Sequence, residues 1–217
     1  MEILFEDKYI IVLIKPAGIA SQSDNSGKES FVDVINAYLT EKGERGEVYV
    51  VHRLDRDVGG IMVYAKTSEA ASSLSKQIQS GEMIKEYLAA VHSSTEEDSG
   101  FMEDLLFHDS KRNKSFAVTR ERKGVRKAKL FYEKVKTENT AYGEASLIKI
   151  RLYTGRTHQI RVQFSSRKMP LIGDRKYGGA DNRDIALWSY RLTFAHPCSN
   201  EKMTFEKYNS FDDIFIK

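Results

Sequence analysis

Asp55 is a carboxylate with a cation close on either side in the sequence. The run His52-Arg53-Leu54-Asp55-Arg56 places Asp55 between Arg53 and Arg56, whose positive charges favour the ionised form of the carboxyl group. An ionised carboxylate can act as a nucleophile or as a general base. Taken alone, an aspartate among arginines is more often part of a surface ion pair. A catalytic interpretation of Asp55 therefore depends on other segments of the chain.

The chain lacks the motifs of several common enzyme classes. It contains no G-x-S-x-G nucleophile elbow, no P-loop and no dinucleotide-binding fingerprint, so nothing indicates a serine hydrolase, a nucleotidase or a dehydrogenase. The five histidines are scattered and lack the spacing of metal ligands; they are His52, His92, His108, His158 and His196. A single cysteine, Cys198, cannot form an internal disulfide. We therefore expect no metal site, and a reducing compartment.

Length and composition are those of a folded globular protein. The chain has 217 residues, of which 41% are hydrophobic and 30% charged, and this allows a sizeable core. We predict a single domain over residues 1–217. No apolar stretch approaches the roughly 20 residues that a membrane span needs, and the N-terminus lacks the charge order of a signal peptide. These features predict a soluble, cytoplasmic protein, and a monomer is the default expectation.

Positive charge is concentrated in one part of the chain, residues 111–136, which we call the basic segment. It holds eleven Lys or Arg and only two Glu, whereas the whole chain has a net charge of +3. A basic segment on a slightly acidic body is typical of a protein that binds a polyanion such as RNA. An exposed strand pair carrying solvated lysines is an equally good interpretation of the charge alone.

The elements that must position Asp55 are predicted to be strands. Asp55 follows a predicted strand at Val48–Val51 and precedes another at Ile61–Ala65, so it lies in a loop held by a scaffold, as catalytic groups often do. The other predicted strands are rich in β-branched and aromatic residues; they are Ile3–Phe5, Ile10–Lys15, Ile84–His92, Lys127–Val135, Ala145–Leu152 and Tyr190–Phe194.

Three helices are predicted between these strands. The first begins at Ser30, with Asp33 in position for a capping box, and ends before Gly43. The second begins at Thr67 or Ser68 and ends at Gly81, and its predicted apolar face is Ala71, Leu74 and Ile78. The third is a short helix around Ile160 and Phe164. Strands grouped with few helices predict an α+β fold with a mixed, mainly antiparallel sheet and flanking helices.

Several segments together resemble the RluA-type family of RNA pseudouridine synthases. His52–Gly60 is similar to the signature loop of that family, Lys85–Ala89 to its second motif and Gly155–Val162 to its third. The family's later motifs resemble Leu171–Asp174 and Tyr177-Gly178, and its N-terminal strand pair resembles Glu6-Asp7 through Lys15–Gly18. The resemblance covers nearly the whole chain in the right order. It implies a pseudouridine synthase-like fold and an isomerase that converts uridine in structured RNA, ribosomal or transfer, to pseudouridine.

The resemblance also implies roles for single residues. Asp55 is the expected catalytic carboxylate, Tyr87 is expected to pack against the flipped target base, and Arg161 to pair with Asp55. Taken singly, Tyr87 fits a core tyrosine and Arg161 a helix-surface cation. No atoms are gained or lost in the reaction, so no cofactor is expected. Contacts to RNA are expected from residues in and near these segments: His52, Arg53, Arg56, Arg120, Arg122, Lys123, Arg156, His158 and Gln159.

The chain departs from the family pattern at a few positions. Val58-Gly59 stands where the family usually has Thr-Ser, and Gln163 and Trp188 each replace a histidine. The S4-like RNA-binding domain that many members carry is not expected, because the family segments begin at Ile3. Two other functions remain open: an inactive RNA-binding module of the same fold, and a nucleoside or glycoside hydrolase, which would release free base.

Overall fold

The structure is a computed structural model, described for residues 1–23, 27–179, 182–209 and 211–215. The chain divides into two compact units. Unit 1 comprises Met1–Lys85 and Ser189–Tyr208, and unit 2 comprises Glu86–Trp188 and Asn209–Lys217. The single domain expected over residues 1–217 stays a prediction.

Strands outnumber helices along the chain. The strands are β1 (Glu2–Glu6), β2 (Ile10–Lys15), β3 (Tyr49–Val50), β4 (Gly59–Ala65), β5 (Ile84–His92), β6 (Ser99–Asp109), β7 (Lys114–Val118), β8 (Val125–Thr140), β9 (Gly143–Leu152), β10 (Leu187–Ala195) and β11 (Lys202–Glu206). The helices are α1 (Phe31–Glu41), α2 (Ser68–Ser80), α3 (Gln159–Ser165) and α4 (Asp212–Phe215). The predicted α+β class is confirmed. Within the described ranges, no helix has the length and apolar character needed to cross a membrane.

Unit 1 is built on a sheet whose neighbouring strands are β1, β2, β4 and β10 in that order, with β3 beside β4 and β11 beside β10. The pairs β1–β2, β2–β4, β3–β4 and β10–β11 are antiparallel. Every residue of β2 and of β4 is buried. This explains why the two strands have continuous rather than alternating apolar sequences, since a strand covered on both faces has no solvent side.

Helix α1 confirms the predicted start at Ser30. The backbone N–H and the hydroxyl of Ser30 both donate to a carboxylate oxygen of Asp33 at 2.8 Å. These bonds supply an acceptor at the helix start, where free N–H groups would otherwise need water. The side chains of Phe31, Ile35 and Leu39 form the buried face of this helix.

Helix α2 begins and ends as predicted, but its buried face is different. Thr67 accepts a hydrogen bond from the N–H of Ala70 at 3.2 Å, and Gly81 ends the helix with φ +80°. The buried positions are Ala70, Leu74 and Gln77, so the predicted face of Ala71, Leu74 and Ile78 is wrong at two of three positions. The reason is that the Gln77 amide donates to and accepts from the backbone of Ala195, both at 2.8 Å, which satisfies a polar side chain in the core.

Unit 2 contains the strand order β5-β9-β8-β6-β7, in which the β6–β7, β6–β8 and β8–β9 pairs are antiparallel. One face of this sheet is buried. Helix α3 contributes to that side, where Val162 joins a cluster of buried residues with Leu106, Ala128 and Tyr177. Strands β6, β7 and β11 were not predicted from the sequence.

Candidate functional site

The backbone around Asp55 is fixed on both sides. Asp55 lies in the loop between β3 and β4, with its side chain partly buried. On one side, the Ser21 hydroxyl accepts from the N–H of Leu54 at 3.0 Å and donates to the carbonyl of Leu54 at 2.8 Å. On the other side, the N–H of Gly18 donates to the carbonyl of Arg56 at 2.9 Å. The segment before β4 closes with a bond from the N–H of Val58 to the carbonyl of Asp55 at 3.1 Å.

A fully buried lysine joins this loop to the end of β2. The Lys15 ammonium donates to the carbonyl oxygens of Pro16 and Ile19, both at 2.8 Å, and of Arg56 at 3.1 Å. Three carbonyl acceptors match the three N–H bonds of a lysine ammonium group. Burial lowers the pKa of Lys15 to about 8, and the negative charges of the Asp55 loop oppose that shift. The Asp55 loop is thus anchored to a cation with no solvent exposure.

Lys15 and Ser21 were not among the site residues predicted from the sequence. A signal for Lys15 exists, because a lysine ends the otherwise apolar strand β2 just before Pro16. A lysine in a fully buried strand needs acceptors, and nearby backbone carbonyls are the simplest supply. Ser21 offers no comparable signal, since a serine in a polar loop is ordinary.

His52 is held inside unit 1 as a neutral imidazole. Its Nε2 atom accepts a hydrogen bond from the N–H of Val63 at 3.1 Å. Its Nδ1 atom is buried and has no hydrogen-bond partner within the ranges that the structure describes. Burial lowers the pKa of His52 to about 3, and the positive charge of Lys85 contributes in the same direction. The neighbouring Arg53 is exposed and Arg56 partly buried, so these two guanidinium groups are better placed for RNA phosphates than His52.

Arg161, in unit 2, forms a buried two-pronged ion pair with Asp174. Its Nε and Nη2 atoms donate to the two carboxylate oxygens of Asp174 at 2.8 and 2.7 Å. Both side chains are almost fully buried, and helix α3 carries the arginine. The arginine is therefore not the solvated helix-surface cation that is the ordinary alternative. Geometry of this kind fixes the plane of the guanidinium group.

The loop that carries Asp174 is tightly packed around a glycine. A Cβ atom at Gly179 would lie 3.0 Å from the Asp174 nitrogen and would also clash with the carbonyl of Leu171. The N–H groups of Tyr177, Gly178 and Gly179 all donate to the carbonyl of Asp174 at 2.9 to 3.1 Å. Asp174 was noted only as part of a family segment, and its bond to Arg161 was not predicted.

Unit 2 also holds the predicted site residue Tyr87 and two positions that depart from the family pattern, Gln163 and Trp188. Tyr87, on β5, is 6% exposed. Gln163, which replaces a family histidine, is fully buried and donates to the carbonyl of Met102 at 3.1 Å and to Asp104 at 2.7 Å. Trp188 is partly buried near the start of β10. The Gln163 amide therefore ties α3 to β6, a structural use of this position.

The predicted RNA contacts at the start of α3 have internal partners. The Nδ1 atom of His158 lies 2.9 Å from the hydroxyl oxygen of Tyr177, within hydrogen-bond distance. The amide of Gln159 donates to the carbonyl of Lys129 at 3.1 Å and accepts from the Thr154 hydroxyl at 2.7 Å. Both residues are buried. Arg156 is exposed, and its Nε donates to the carbonyl of Lys127 at 2.9 Å.

Three cations of the basic segment are open to solvent. Arg120, Arg122 and Lys123 are exposed in the connection between β7 and β8. The guanidinium carbon of Arg122 lies 4.7 Å from the ring centroid of Phe107, a cation–π distance. The segment therefore combines a strand pair with an exposed basic connection, which fits both interpretations of its charge.

The structure brings part of the predicted site together within each unit. In unit 1, Ser21 bonds to the backbone of Leu54 and Lys15 to the carbonyl of Arg56, the two neighbours of Asp55 in the chain. The pairing of Asp55 with Arg161 joins residues of different units and stays a prediction, as do the roles of the other predicted site residues. Within the described ranges, no group of three or more His, Cys, Asp or Glu side chains is arranged to hold a metal ion.

Known proteins similar to this chain are RNA pseudouridine synthases. The sequence profile of a family described as RNA pseudouridylate synthase matches residues 9–166. A Bacillus subtilis relative, "Uncharacterized RNA pseudouridine synthase YhcT", is 32% identical over 95% of this chain and 68% of its own length. "Ribosomal large subunit pseudouridine synthase D" of Zymomonas mobilis is 32% identical over 95% of this chain and 68% of its own length. The chain spans about two thirds of these relatives.

A solved structure shares the fold. Human RNA Pseudouridylate Synthase Domain Containing 4 aligns over 97% of this chain and 89% of that chain, with a TM-score of 0.76 and 20% identity. The expected pseudouridine synthase-like fold is thereby confirmed. With the profile matching well over half of the sequence and a relative 32% identical over 95% of it, the chain belongs to the RluA-type family of RNA pseudouridine synthases.

Proposed function

We propose that the protein isomerises specific uridines in ribosomal or transfer RNA to pseudouridine, with Asp55 as the catalytic carboxylate. The observation that carries this role is the fixed backbone around Asp55, which Ser21 and Lys15 hold from both sides. A carboxylate that acts on one sugar carbon must be positioned within a fraction of an ångström. A surface ion pair has no such requirement.

The reaction rearranges one nucleotide and releases nothing. The bond between N1 of uracil and C1′ of ribose breaks, the base turns while it stays bound, and C5 becomes bonded to C1′. The proton that leaves C5 balances the one that N1 gains. Asp55 either attacks C1′ directly or removes a proton from the sugar, and both routes require an ionised carboxylate beside the ribose. The flanking cations Arg53 and Arg56 favour that ionised form.

Water must be kept from the detached base, because hydrolysis would release free uracil. Apolar and aromatic side chains serve this purpose by covering the base. We propose that Tyr87 supplies an aromatic face for the flipped uracil, and that Ile160 adds apolar cover. Tyr87 is almost fully buried, as a residue that closes the inner wall of a base pocket would be.

Arg161 is proposed to act as a fixed cation of the site. Its two bonds to Asp174 hold the guanidinium plane, so little entropy is lost when this cation acts on a second carboxylate. The family resemblance implies that the second carboxylate is Asp55.

The RNA class is proposed from chemistry and from relatives. The basic segment supplies sequence-independent attraction to phosphates, and the name of the Zymomonas mobilis relative refers to the large ribosomal subunit. We propose that the chain acts as a cytoplasmic monomer. An inactive RNA-binding module of the same fold is the alternative.

The test is pseudouridine formation by the purified chain on unmodified transcripts of ribosomal and transfer RNA. Carbodiimide adducts mapped by primer extension should appear at discrete uridines, with RNA mass unchanged and no free uracil. The Asp55→Asn variant should give none. Binding without modification of any transcript would favour the inactive module, and free uracil would favour a hydrolase.

A further inference from the structure

Three aromatic side chains meet on an open face of the unit 2 sheet. Phe101 lies on β6, Phe131 on β8 and Tyr153 directly after β9. The ring centroid of Phe101 is 5.1 Å from that of Phe131 and 5.9 Å from that of Tyr153. Phe101 is 56% exposed and Tyr153 46% exposed. We call these three rings, together with the side chains of Lys129 and Arg151, the aromatic patch.

Strand register explains why the rings lie side by side. Phe101 is the cross-strand partner of Phe131, and Phe131 is the partner of Arg151 on β9. Side chains alternate between the two faces of a strand. Because Leu130 and Tyr132 are buried, Phe131 between them must point to the opposite face. The aromatic patch is thus built into the sheet.

Cations lie against the rings of the patch. The Lys129 ammonium is 4.5 Å from the Phe101 centroid and 5.9 Å from the Tyr153 centroid. The Arg151 guanidinium is 5.1 Å from the Tyr153 centroid. Lys129 also pairs with Glu103 at 2.7 Å. That bond is partly exposed and is weak in water.

The surrounding charge favours an anionic partner. Lys127 and Lys149 occupy the same face of β8 and β9, at alternate positions to Lys129 and Arg151. Around the rings these four cations outnumber Glu103 and Glu133, and Lys127 also lies 3.9 Å from a carboxylate oxygen of Glu121. An apolar protein partner would have to desolvate several of these charges. A chain of phosphates with planar bases would instead use both the cations and the rings.

We propose that the aromatic patch binds an unpaired segment of the substrate RNA, with bases stacked on Phe101 and Tyr153 and phosphates beside Lys129 and Arg151. This proposal rests on the proposed function, in which the substrate is RNA. Sheets that present aromatic side chains with cations bind single-stranded nucleic acid in this way, because every base offers a ring face. The patch would then hold nucleotides other than the target uridine.

The test is binding of the full chain to a fluorescein-labelled single-stranded RNA of about 12 nucleotides, followed by fluorescence anisotropy. Phe101→Ala and Tyr153→Ala should each weaken binding about tenfold. Tyr153→Phe keeps the ring and should bind as the wild type does. Tyr208→Ala is the matched control, because Tyr208 is a tyrosine in unit 1 with 58% exposure, and it should leave the affinity unchanged.

Two further measurements separate base stacking from nonspecific RNA binding. Lys129→Gln should lower the slope of log affinity against log salt by about 0.7, the value for one phosphate contact to a single strand. A double-stranded RNA of the same length should bind equally to the wild type and to Phe101→Ala, because its bases are not free to stack. Turnover at saturating RNA should fall less than affinity in the patch variants, since the patch holds no reacting group.

Other outcomes overturn the proposal. Phe101→Ala and Tyr153→Ala binding as tightly as Tyr208→Ala would exclude a stacking role. A wild-type dimer in sedimentation velocity that becomes a monomer in Phe101→Ala, with RNA affinity unchanged, would assign the patch to self-association. The Asp55→Asn variant separates failure of this proposal from failure of the proposed function. It should bind the oligonucleotide as the wild type does. If it were also active, Asp55 would lose its catalytic assignment, and the result for the aromatic patch would be unaffected.

Discussion

At the scale of single residues, Asp55 differs from Asp57 of the same loop in exposure. The side chain of Asp55 is partly buried, whereas that of Asp57 is exposed. Asp55→Asn keeps the shape of the side chain and removes its charge. We expect pseudouridine formation to disappear while folding and RNA affinity stay nearly intact, measured by tritium release from 5-³H-uridine RNA and by anisotropy.

The matched control is Asp57→Asn, which removes one negative charge from the same loop. It should retain activity within about tenfold of the wild type, which corresponds to about 1.4 kcal/mol in the barrier. Activity of Asp55→Asn in that range would remove Asp55 from its proposed role. Equal losses in both variants would indicate that the loop needs its charge rather than one catalytic carboxylate.

Arg161 is a second residue for which charge and shape can be separated. Arg161→Lys keeps a cation but loses the two-pronged bond to Asp174, so we expect turnover to fall by tenfold or more while RNA affinity changes little. Single-turnover kinetics at saturating RNA measures the first quantity and anisotropy the second. Weakened binding with unchanged turnover would make Arg161 a phosphate contact instead.

His52 predicts a pH dependence of stability. Its pKa is about 3 in the folded protein and about 6.5 in the unfolded chain, so below pH 6.5 the unfolded state binds a proton that the folded state does not. Stability from this group is present above pH 6.5 and is lost as the pH falls towards 3. Between pH 7 and pH 5 the loss should be at most about 2 kcal/mol.

The measurement is urea unfolding of the wild type and of His52→Gln at both pH values. The variant does not titrate here, so its stability should fall less between pH 7 and pH 5 than that of the wild type. Equal slopes would show that His52 is protonated in the folded state, and hence that its ring is more accessible to water than the structure indicates.

At the scale of elements, the end of β2 and the loop after it clamp the Asp55 loop. Ser21 supplies two of the bonds, to the N–H and to the carbonyl of Leu54, and its own carbonyl accepts from the Tyr64 hydroxyl at 2.8 Å. Lys15 supplies another from the opposite side. Several bonds to one short segment leave it little freedom, as a catalytic loop requires.

Ser21→Ala tests this clamp. It leaves two buried backbone groups of Leu54 without their partner, which costs about 1–3 kcal/mol of stability. We expect kcat to fall severalfold with KM nearly unchanged, because the loop moves while the RNA surface stays the same. Ser21→Thr keeps the hydroxyl and should restore kcat.

Ser72→Ala, at an exposed position of α2, is the control for the loss of a serine hydroxyl and should change neither quantity. A Ser21→Ala protein that is less stable but has the kcat of the wild type would show that the clamp stabilises the fold without positioning Asp55.

At the scale of the whole molecule, charge is distributed unevenly. The basic segment carries nine more positive than negative charges, so the rest of the chain is net negative. Such a distribution attracts RNA to one part of the surface and leaves the remainder repulsive to phosphates. The exposed connection with Arg120, Arg122 and Lys123 is the part of the segment least involved in strand pairing.

Replacing Arg120, Arg122 and Lys123 with Ala should reduce the slope of log affinity against log salt by about 0.7 for each phosphate that the variant no longer neutralises. Turnover at saturating RNA should change less than affinity. Lys76→Ala with Lys202→Ala removes exposed cations of unit 1 and should leave the slope unchanged. If the salt slope and the activity both stay as in the wild type, the connection is only a solvated basic surface. A large loss of turnover would show that the connection also closes over the nucleotide.

Local sequence signals determined a large part of this protein. Continuous apolar runs predicted β2 and β4, and the Ser30–Asp33 capping box predicted the start of α1, because these signals depend on neighbouring residues only. Ordered motifs from Glu6 to Gly178 predicted the family. They also indicated which residues are candidates for chemistry, since reaction type constrains residue type and spacing.

Only the tertiary structure decided which partners those residues have. Gln77 occupies the core because the Ala195 backbone, 118 positions away, satisfies its amide. Arg161 pairs with Asp174, Lys15 with the carbonyl of Arg56, and strand register places the Phe101 and Phe131 rings in edge contact. The physical reason is that hydrogen bonding and ring contact depend on distance in space, and chain closure brings together residues whose sequence separation carries no local signal.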